Sequence, residues 1–219
     1  RSMNSRKIKR TINRFLYALG AIVLLYLLLY SIDRIYGRYY SRTNSAGTIT
    51  VERGDIIYKV TSFMLAGSNY PYYGSFPGHL GIFLSDTTIA VKNSDFKKML
   101  VAESSLFNIK EKKMMPVLRI NPAENNYGYA GGRLLLVKTH LNDSQKEKLQ
   151  RYVELNSGKP YQLFAKKNDS ISFNCATFVW NAFNSAVNID VDANGGKTVL
   201  PADILSYFMK KEDAEIIRF

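Results

Sequence analysis

The residues of this chain that could do nucleophilic chemistry are few. The 219-residue sequence contains one cysteine, Cys175, and two histidines, His79 and His140. A cysteine attacks as the thiolate, which a helix N-terminus or a neighbouring imidazolium favours. Cys175 opens a segment whose apolar residues recur at helical spacing, and His79 opens an apolar run typical of a strand. The pattern therefore predicts a thiolate–imidazole pair, as in cysteine hydrolases and transferases.

A third polar group should orient the imidazole in such a site. Glu103 ends the next predicted long strand after that of His79, and neighbouring strands lie about 5 Å apart, so we expect Glu103 to reach the outer nitrogen of His79. The backbone N–H of Cys175, at a helix start, is expected to contribute to an oxyanion hole. His140 is predicted to be a surface turn residue, and Asp55 to stabilise a turn.

The N-terminal part predicts a membrane anchor. Phe15 to Ile32 is an uncharged, leucine-rich stretch of 18 residues, long enough to suggest a spanning helix. No small-x-small cleavage site follows it closely, which favours a retained signal anchor. Because positive charge is concentrated before this stretch, the N-terminus is expected in the cytoplasm and the rest in the periplasm or outside the cell.

Charge and composition exclude several function classes. Residues 1–42 hold nine of the 30 Lys and Arg residues and one of the 18 acids, so most of the net charge of +12 belongs to the anchor region. The rest carries no basic stripe of the kind that binds nucleic acid. Two histidines without a Cys/His/acid cluster argue against a metal site, and without a dinucleotide glycine pattern we expect no cofactor. The predicted organisation is a basic cytoplasmic tail (1–10), a transmembrane anchor (11–33), a linker (34–50) and a catalytic domain (51–219).

The remaining pattern predicts an α+β domain, with strands grouped first and helices towards the end. A helix is expected from about residue 144, with Asp143 or Ser144 as its cap. Residues 62–78, rich in Gly, Pro and aromatic side chains, predict a mobile binding loop, in which Tyr72 and Tyr73 are candidate substrate contacts. The lysines at 110, 112 and 113 predict a solvated loop. Strands are predicted at 56–60, 79–84 (with 89–91 as a hairpin extension), 100–103, 117–120, 133–139 and 216–219, and further helices at 175–186 and 202–210.

Five ordered blocks resemble the NlpC-type papain-like superfamily in its circularly permuted form, and specifically the YiiX/YebB-like branch, which is akin to lecithin:retinol acyltransferase-like proteins. The resemblance covers roughly residues 51–210 and implies a central antiparallel sheet with the cysteine helix last rather than first. It implies that Cys175 is the nucleophile, His79 the base, Glu103 the polar third member, and that Tyr161 lies beside the active site. The blocks are Gly54–Ile57, Gly78–Phe83, Val101–Ser104, Gly158–Tyr161 and Asn174–Val179.

The chain departs from the unpermuted peptidases, which usually have Asp-Cys-Ser-Gly where this chain has Asn174-Cys175-Ala176-Thr177. The permuted branch often has Ser-His where this chain has Gly78-His79. Asn174 is a further candidate substrate-binding residue. The expected function is a membrane-anchored amidase- or peptidase-type cysteine hydrolase that cleaves an amide or ester bond of a cell-envelope substrate through an acyl-enzyme. Peptide, cell-wall and lipid acyl substrates all remain open. The alternatives are a lipid-directed thiol acyltransferase or acylhydrolase, and an inactive envelope-ligand-binding domain.

Overall fold

The computed structural model describes residues 10–28, 48–59, 78–90, 99–127 and 134–218. Helix α1 (Arg10–Leu28) has 19 residues and a mean hydropathy of 1.7, and all its described residues are exposed. By length and composition it could cross a membrane. The remainder of the predicted anchor, most of the linker and the predicted binding loop with Tyr72 and Tyr73 lie outside the described residues.

The elements after α1 form two sheets and a group of helices. The strands are β1 (Thr48–Val51), β2 (Ile56–Lys59), β3 (His79–Phe83), β4 (Thr87–Ala90), β5 (Leu100–Asn108), β6 (Lys113–Pro122), β7 (Leu134–Val137) and β8 (Ile216–Arg218). The helices are α2 (Asp143–Asn156), α3 (Cys175–Val187) and α4 (Pro201–Met209), with a short 3₁₀ helix, Ala123–Asn125. Within the described residues, six strands form an antiparallel sheet in the order β6-β5-β3-β2-β7-β8, and β1 pairs with β4.

The large sheet separates two apolar clusters, because successive strand residues point to opposite faces. Leu80 and Ile82 pack with α2, α3 and α4 on one face, whereas Phe83 packs on the other face with β1 and the 3₁₀ helix. Most strand positions are therefore buried, which explains the near-continuous apolar runs of β2, β3 and β7. The predicted α+β class with a central antiparallel sheet is confirmed.

The predicted hairpin of residues 89–91 with β3 is wrong. β4 pairs with β1, Thr50 opposite Thr88, in the separate small sheet. The reason is that β3 already has β2 on one side and β5 on the other, so no edge of β3 remains for β4.

Two further expectations need correction. Glu103 does not end its strand but lies in its middle, because β6 pairs with β5 well beyond it and prolongs the strand to Asn108. Helix α2 is capped by Asn142 rather than by Asp143 or Ser144. The Asn142 side chain accepts a hydrogen bond from the Gln145 N–H at 2.9 Å, and the Gln145 side chain bonds back to the Asn142 N–H, a reciprocal capping box.

Candidate active site

The site is built around a charged side chain inside the sheet. Glu103 is completely buried, and its Oε2 lies 2.7 Å from Nε2 of His79. β3 pairs with β5 so that Ile82 faces Ala102. Continuing this register by one residue puts Gly81 opposite Glu103 and makes His79 the diagonal neighbour of Glu103. Two long side chains can meet across that diagonal, so the strand pairing itself brings the imidazole to the carboxylate.

The second carboxylate oxygen of Glu103 is held by three donors that the sequence alone did not indicate. Oε1 accepts from Arg119 Nη2 at 3.1 Å, from Asn121 Nδ2 at 3.3 Å and from Asn126 Nδ2. Arg119 lies directly opposite Glu103 in the β5–β6 register. Burial by itself raises the pKa of Glu103, but the hydrogen bond with His79 and the charges of His79 and Arg119 lower it below its usual value. The carboxylate therefore stays ionised.

A tyrosine and a glycine fix the plane of the imidazole. The ring of Tyr127 stacks on His79, with centroids 5.6 Å apart and planes inclined by 22°. A Cβ on Gly81 would lie 2.7 Å from Tyr127 Oη and 2.4 Å from Val101 Cγ1, so only glycine leaves room for this phenol. Burial raises the pKa of Tyr127 well above its usual value, and the negative charges of Glu103 and Cys175 raise it further. The phenol oxygen makes no hydrogen bond of ordinary geometry within the described residues.

Cys175 is the first residue of α3, as predicted from the apolar spacing. The preceding Asn174 caps the helix: its side-chain oxygen accepts from the Thr177 N–H at 2.8 Å, while the Thr177 hydroxyl accepts from the Asn174 N–H at 2.9 Å. The capping bonds satisfy the N–H groups of Asn174 and Thr177. The N–H groups of Cys175 and Ala176 lie between them, in the first turn, where the helix backbone provides no acceptor. The half-buried sulfur lies 3.9 Å from the Gly78 carbonyl oxygen, next to the start of β3.

His79 joins the sulfur to the carboxylate. Because Nε2 contacts Glu103, Nδ1 is the ring nitrogen that remains for Cys175. Burial lowers the pKa of His79, but its hydrogen bonds with Cys175 and Glu103 outweigh that effect and raise the pKa from 6.5 to about 9. At neutral pH His79 is therefore protonated, and its positive charge lies beside the buried carboxylate of Glu103.

The predicted substrate-binding residues are placed differently. Tyr161 is half-buried; burial raises the pKa of its phenol, and the charge of Cys175 raises it further. Asn174 is next to Cys175, but its oxygen caps α3 and its Nδ2 donates to the Leu163 carbonyl at 3.1 Å. The role shown by these contacts is to hold the helix start in place. Tyr72 and Tyr73 cannot be related to the site because they lie outside the described residues.

The other candidate polar residues lie elsewhere. His140 is exposed at a positive φ of 52° and has Glu215 at 3.8 Å, which confirms it as a surface turn residue. Asp55 is buried and stabilises its turn by accepting from the Glu52 N–H at 2.9 Å and from Lys138 Nζ at 2.6 Å. Burial raises the pKa of Asp55 despite the opposing effect of Lys138.

The missed residues left only weak signals in the sequence. Arg119 is the one charge in the apolar run 117–120, which could have marked an inward-facing cation paired with a buried acid. Asn126 and Tyr127 follow the end of β6, and nothing in their local pattern indicates that the turn folds back over the β3–β5 pair. Their place depends on contacts between segments distant in the chain.

Comparisons with known proteins give one structural likeness. Neither the scan of protein-family models nor the search of curated proteins finds a match. Among solved structures, the chain is similar to the crystal structure of metalloprotein yiiX from Escherichia coli O157:H7, DUF1105. The identity is 14% and the TM-score 0.48, over 76% of this chain and 96% of that chain. This is the branch that the sequence motifs resemble. The assignment of the site rests on its own side-chain geometry.

The description of yiiX as a metalloprotein does not transfer to this site. Among the residues that the structure describes, no three His, Cys, Asp or Glu side chains form a group that could hold a metal ion. Both oxygens of Glu103 already accept hydrogen bonds from protein donors. These residues do not provide a donor set for an ion.

The ionisation of His79 can be measured directly. In a His140→Gln variant His79 is the only histidine, and its imidazole signals in an NMR titration should give a pKa of about 9. Adding Cys175→Ala removes one of the two hydrogen bonds that raise the pKa but keeps the burial that lowers it, so the midpoint should fall. A midpoint near 6.5 with Cys175 present would contradict a protonated His79 at neutral pH.

The same pKa predicts how stability depends on pH. Because the folded-state pKa of His79 lies above its unfolded value of 6.5, its contribution to stability is fully present below that pH. The contribution is lost as the pH rises through about 9. Urea unfolding of the His79→Gln variant should therefore show less loss of stability between these pH values than the parent.

The Gly81–Tyr127 contact is also testable. Gly81→Ala should lower the free energy of unfolding by about 1–3 kcal/mol, since the new Cβ overpacks the site. Adding Tyr127→Phe to the Gly81→Ala variant removes the phenol oxygen. It should restore part of the lost free energy of unfolding, as measured by chemical denaturation. Equal destabilisation with and without the Tyr127 hydroxyl would assign the overpacking to Val101 rather than to the phenol.

Proposed function

We propose that this protein is a membrane-anchored cysteine hydrolase of the amidase or peptidase type, which cleaves an amide or ester bond of a cell-envelope substrate. The observation that carries the proposal is how three residues are grouped: the sulfur of Cys175 lies 3.9 Å from the carbonyl oxygen of Gly78, the residue before His79, and Nε2 of His79 donates to the buried carboxylate of Glu103. A solvated acid or a purely structural histidine has no need of this arrangement, whereas acyl transfer through a thiolate needs all three groups.

Acylation starts from the Cys175 thiolate and the protonated imidazole of His79. The Cys175 thiolate attacks the substrate carbonyl carbon, a C–S bond forms, and the carbonyl π electrons move to oxygen. The N–H groups of Cys175 and Ala176 at the start of α3 are suited to bind this oxyanion. The oxyanion then collapses and the bond to the leaving nitrogen or oxygen breaks, while His79 donates its Nδ1 proton to the leaving group. The products are a thioester on Cys175 and a free amine or alcohol.

Deacylation repeats the steps with water as the nucleophile. The imidazole of His79, now neutral, accepts a proton from a water molecule whose oxygen attacks the thioester carbonyl. Collapse of the second oxyanion breaks the C–S bond, releases a carboxylic acid and restores the thiolate–imidazolium pair. If an alcohol or amine enters instead of water, the same steps transfer the acyl group, so hydrolysis and transfer differ only in the acceptor.

Glu103 acts through His79 and is a positioning residue. Its carboxylate holds the imidazole with Nδ1 towards Cys175 and stabilises the positive charge of the ring. Arg119, Asn121 and Asn126 in turn hold the carboxylate. Because a buried charge without partners is costly, this support keeps Glu103 ionised and its geometry fixed during turnover.

The anchor supports an envelope location. Helix α1 is long and apolar enough to span a membrane, and the positive charge that precedes Phe15 favours a cytoplasmic N-terminus. The domain would then act in the periplasm or outside the cell, where cell-wall peptides and lipid acyl groups are available as substrates.

The catalytic roles can be tested with p-nitrophenyl acetate, which reports acylation by release of p-nitrophenol. Cys175→Ala and His79→Ala should abolish turnover, and intact-mass spectrometry of the parent should show an acetyl group on Cys175. Glu103→Gln should lower turnover on the order of 10²–10⁴-fold. One amide oxygen cannot serve both His79 and the three donors on the other side.

His140→Ala is the matched control, since this histidine is exposed and outside the site, and its turnover should equal that of the parent. If Cys175→Ala and His79→Ala abolish turnover but Glu103→Gln does not, another group orients the imidazole. If no substitution changes turnover and no acyl adduct forms, the site belongs to a ligand-binding domain and the enzyme assignment is wrong.

Topology is tested separately. With the positive flank inside, protease added to intact spheroplasts should digest residues 48–218 while a cytoplasmic marker protein survives. Protection of the domain until the membrane is permeabilised would reverse the orientation and remove cell-wall peptides from the possible substrates.

A further inference from the structure

Exposed apolar side chains gather on two segments near the site. After α1, the described residues include eleven large hydrophobic side chains that are exposed, and seven of them lie on the β5–β6 hairpin tip or on the loop before α3. Phe164 is 82% exposed and Ile171 is 74% exposed. A cluster of this kind marks an interaction surface, whereas scattered exposed leucines do not. We name the seven residues the apolar rim: Leu106, Phe107, Ile109, Met114, Leu163, Phe164 and Ile171.

The two halves of the apolar rim are next to each other. Phe107 and Met114 are cross-strand partners at the hairpin tip. Two residues beyond Met114, the carbonyl of Pro116 accepts from the Tyr161 N–H at 2.7 Å. Tyr161 comes two residues before Leu163 in the loop, so the hairpin and the loop lie next to each other.

The loop half of the apolar rim is held in place by hydrogen bonds. The Ala165 N–H donates to the Gln162 carbonyl at 3.1 Å, which makes Leu163 and Phe164 the central residues of a turn. Asn174 Nδ2 binds the Leu163 carbonyl at 3.1 Å. Because Asn174 also caps α3, the turn is tied to the helix start that carries Cys175. The exposed side chains are thus presented by an ordered backbone beside the sulfur.

Basic side chains border the apolar rim. Lys110, Lys112 and Lys113 occupy the hairpin tip with a single acid, Glu111, and all four are exposed. Lys110 also pairs with Glu124 at 2.6 Å, so Lys112 and Lys113 carry most of the local excess. Exposed Lys166 follows directly after the Leu163–Phe164 turn. Apolar side chains surrounded by lysines match the depth profile of an anionic lipid surface, which is apolar inside and negatively charged at the headgroups.

The chain itself keeps this surface near a bilayer. Helix α1, which could span a membrane, ends at Leu28 among the described residues, and β1 begins at Thr48. Twenty peptide steps reach at most about 70 Å when fully extended. A domain on so short a tether samples the adjacent membrane surface at high effective concentration, so even weak apolar and ionic contacts can orient it.

We propose that the apolar rim docks onto an anionic lipid bilayer, with Leu163 and Phe164 inserted among the headgroups and Lys112, Lys113 and Lys166 at the phosphates. The docked orientation turns the mouth of the Cys175 site towards the lipid surface. A polypeptide partner or a second copy of the chain could cover an apolar surface, but neither accounts for the surrounding lysines and the membrane-spanning helix together. Docking does not depend on whether Cys175 is catalytic.

Tryptophan quenching in the full-length protein tests the proposal. Phe164→Trp and Phe107→Trp proteins are reconstituted into phosphatidylglycerol vesicles whose acyl chains are brominated near the headgroup. Leu155→Trp is the matched control, because Leu155 is 74% exposed on α2 and outside the apolar rim. The native Trp180 is buried and supplies a constant background. Emission of the two rim variants should be lower in brominated vesicles than in unbrominated vesicles, and that of Leu155→Trp should not change.

The charge contribution is tested in the same vesicles. Neutralising Lys112, Lys113 or Lys166 to Gln should lower the docked-to-undocked ratio about fivefold per lysine, whereas Lys148→Gln on α2 should have no effect. Replacing the brominated phosphatidylglycerol by brominated phosphatidylcholine, which has no net charge, should weaken the quenching as neutralising the lysines does. Thermal unfolding of each variant confirms that it is folded.

If Phe164→Trp is quenched no more than Leu155→Trp, the proposal is overturned. Chemical cross-linking between copies in those unquenched vesicles would then assign the apolar rim to self-association, and its absence to a polypeptide partner. The Cys175→Ala protein should show unchanged quenching. This separates the docking result from the outcome of the turnover assays, since either can fail while the other holds.

Discussion

The buried carboxylate of Glu103 is the constraint on which the rest of the site depends. An ion removed from water costs several kcal/mol unless its hydrogen-bonding positions are filled, and here four donors fill them. These donors come from β3, from β6 and from the residue after the 3₁₀ helix. The carboxylate on β5 therefore joins β3 to the continuous segment from β6 to Asn126, and it holds His79 within that arrangement. A shift of one residue in the β5–β6 register would move Arg119 to the opposite face and leave Glu103 without its cation.

The position of His79 at the start of β3 explains how groups from both sides of the sheet reach one imidazole. Glu103 and Tyr127 approach with the apolar cluster around Phe83, whereas Cys175 approaches with α3, which packs on the cluster around Leu80. In the middle of a strand the backbone would separate these two sets of side chains. At the strand end the sulfur lies 3.9 Å from the carbonyl oxygen of Gly78, the residue before His79. The same location leaves the sulfur half-exposed, as a nucleophile requires.

The sequence was sufficient to predict the main helices and strands, and the side-chain contacts that follow from local pattern and chain order. Apolar spacing identified α3 with Cys175 at its start, and consecutive strands placed His79 and Glu103 in contact. It was not sufficient where distant segments pair. The donors around Glu103 depend on the β5–β6 register, and Tyr127 depends on the turn that folds over Gly81. The cap of α2 was missed by one or two residues because Asn142, Asp143 and Ser144 are all good caps, and only the reciprocal bond with Gln145 selects the first. The catalytic roles of the site residues remain predictions, since contacts alone do not measure turnover.

The arrangement around Cys175 also bears on the acceptor of the acyl group. A thioester is consumed by whichever nucleophile reaches it beside His79, so the choice between hydrolysis and transfer depends on what occupies the mouth of the site. The turn of Leu163 and Phe164, which forms part of the apolar rim, is tied through Asn174 to the helix start that carries Cys175. In solution the mouth faces water, which favours hydrolysis. With the apolar rim docked on a bilayer, the same mouth faces lipid headgroups and acyl chains, so amphipathic alcohols and amines compete with water. In the proposed mechanism, Cys175, His79 and Glu103 would then give two products, according to whether the domain is docked.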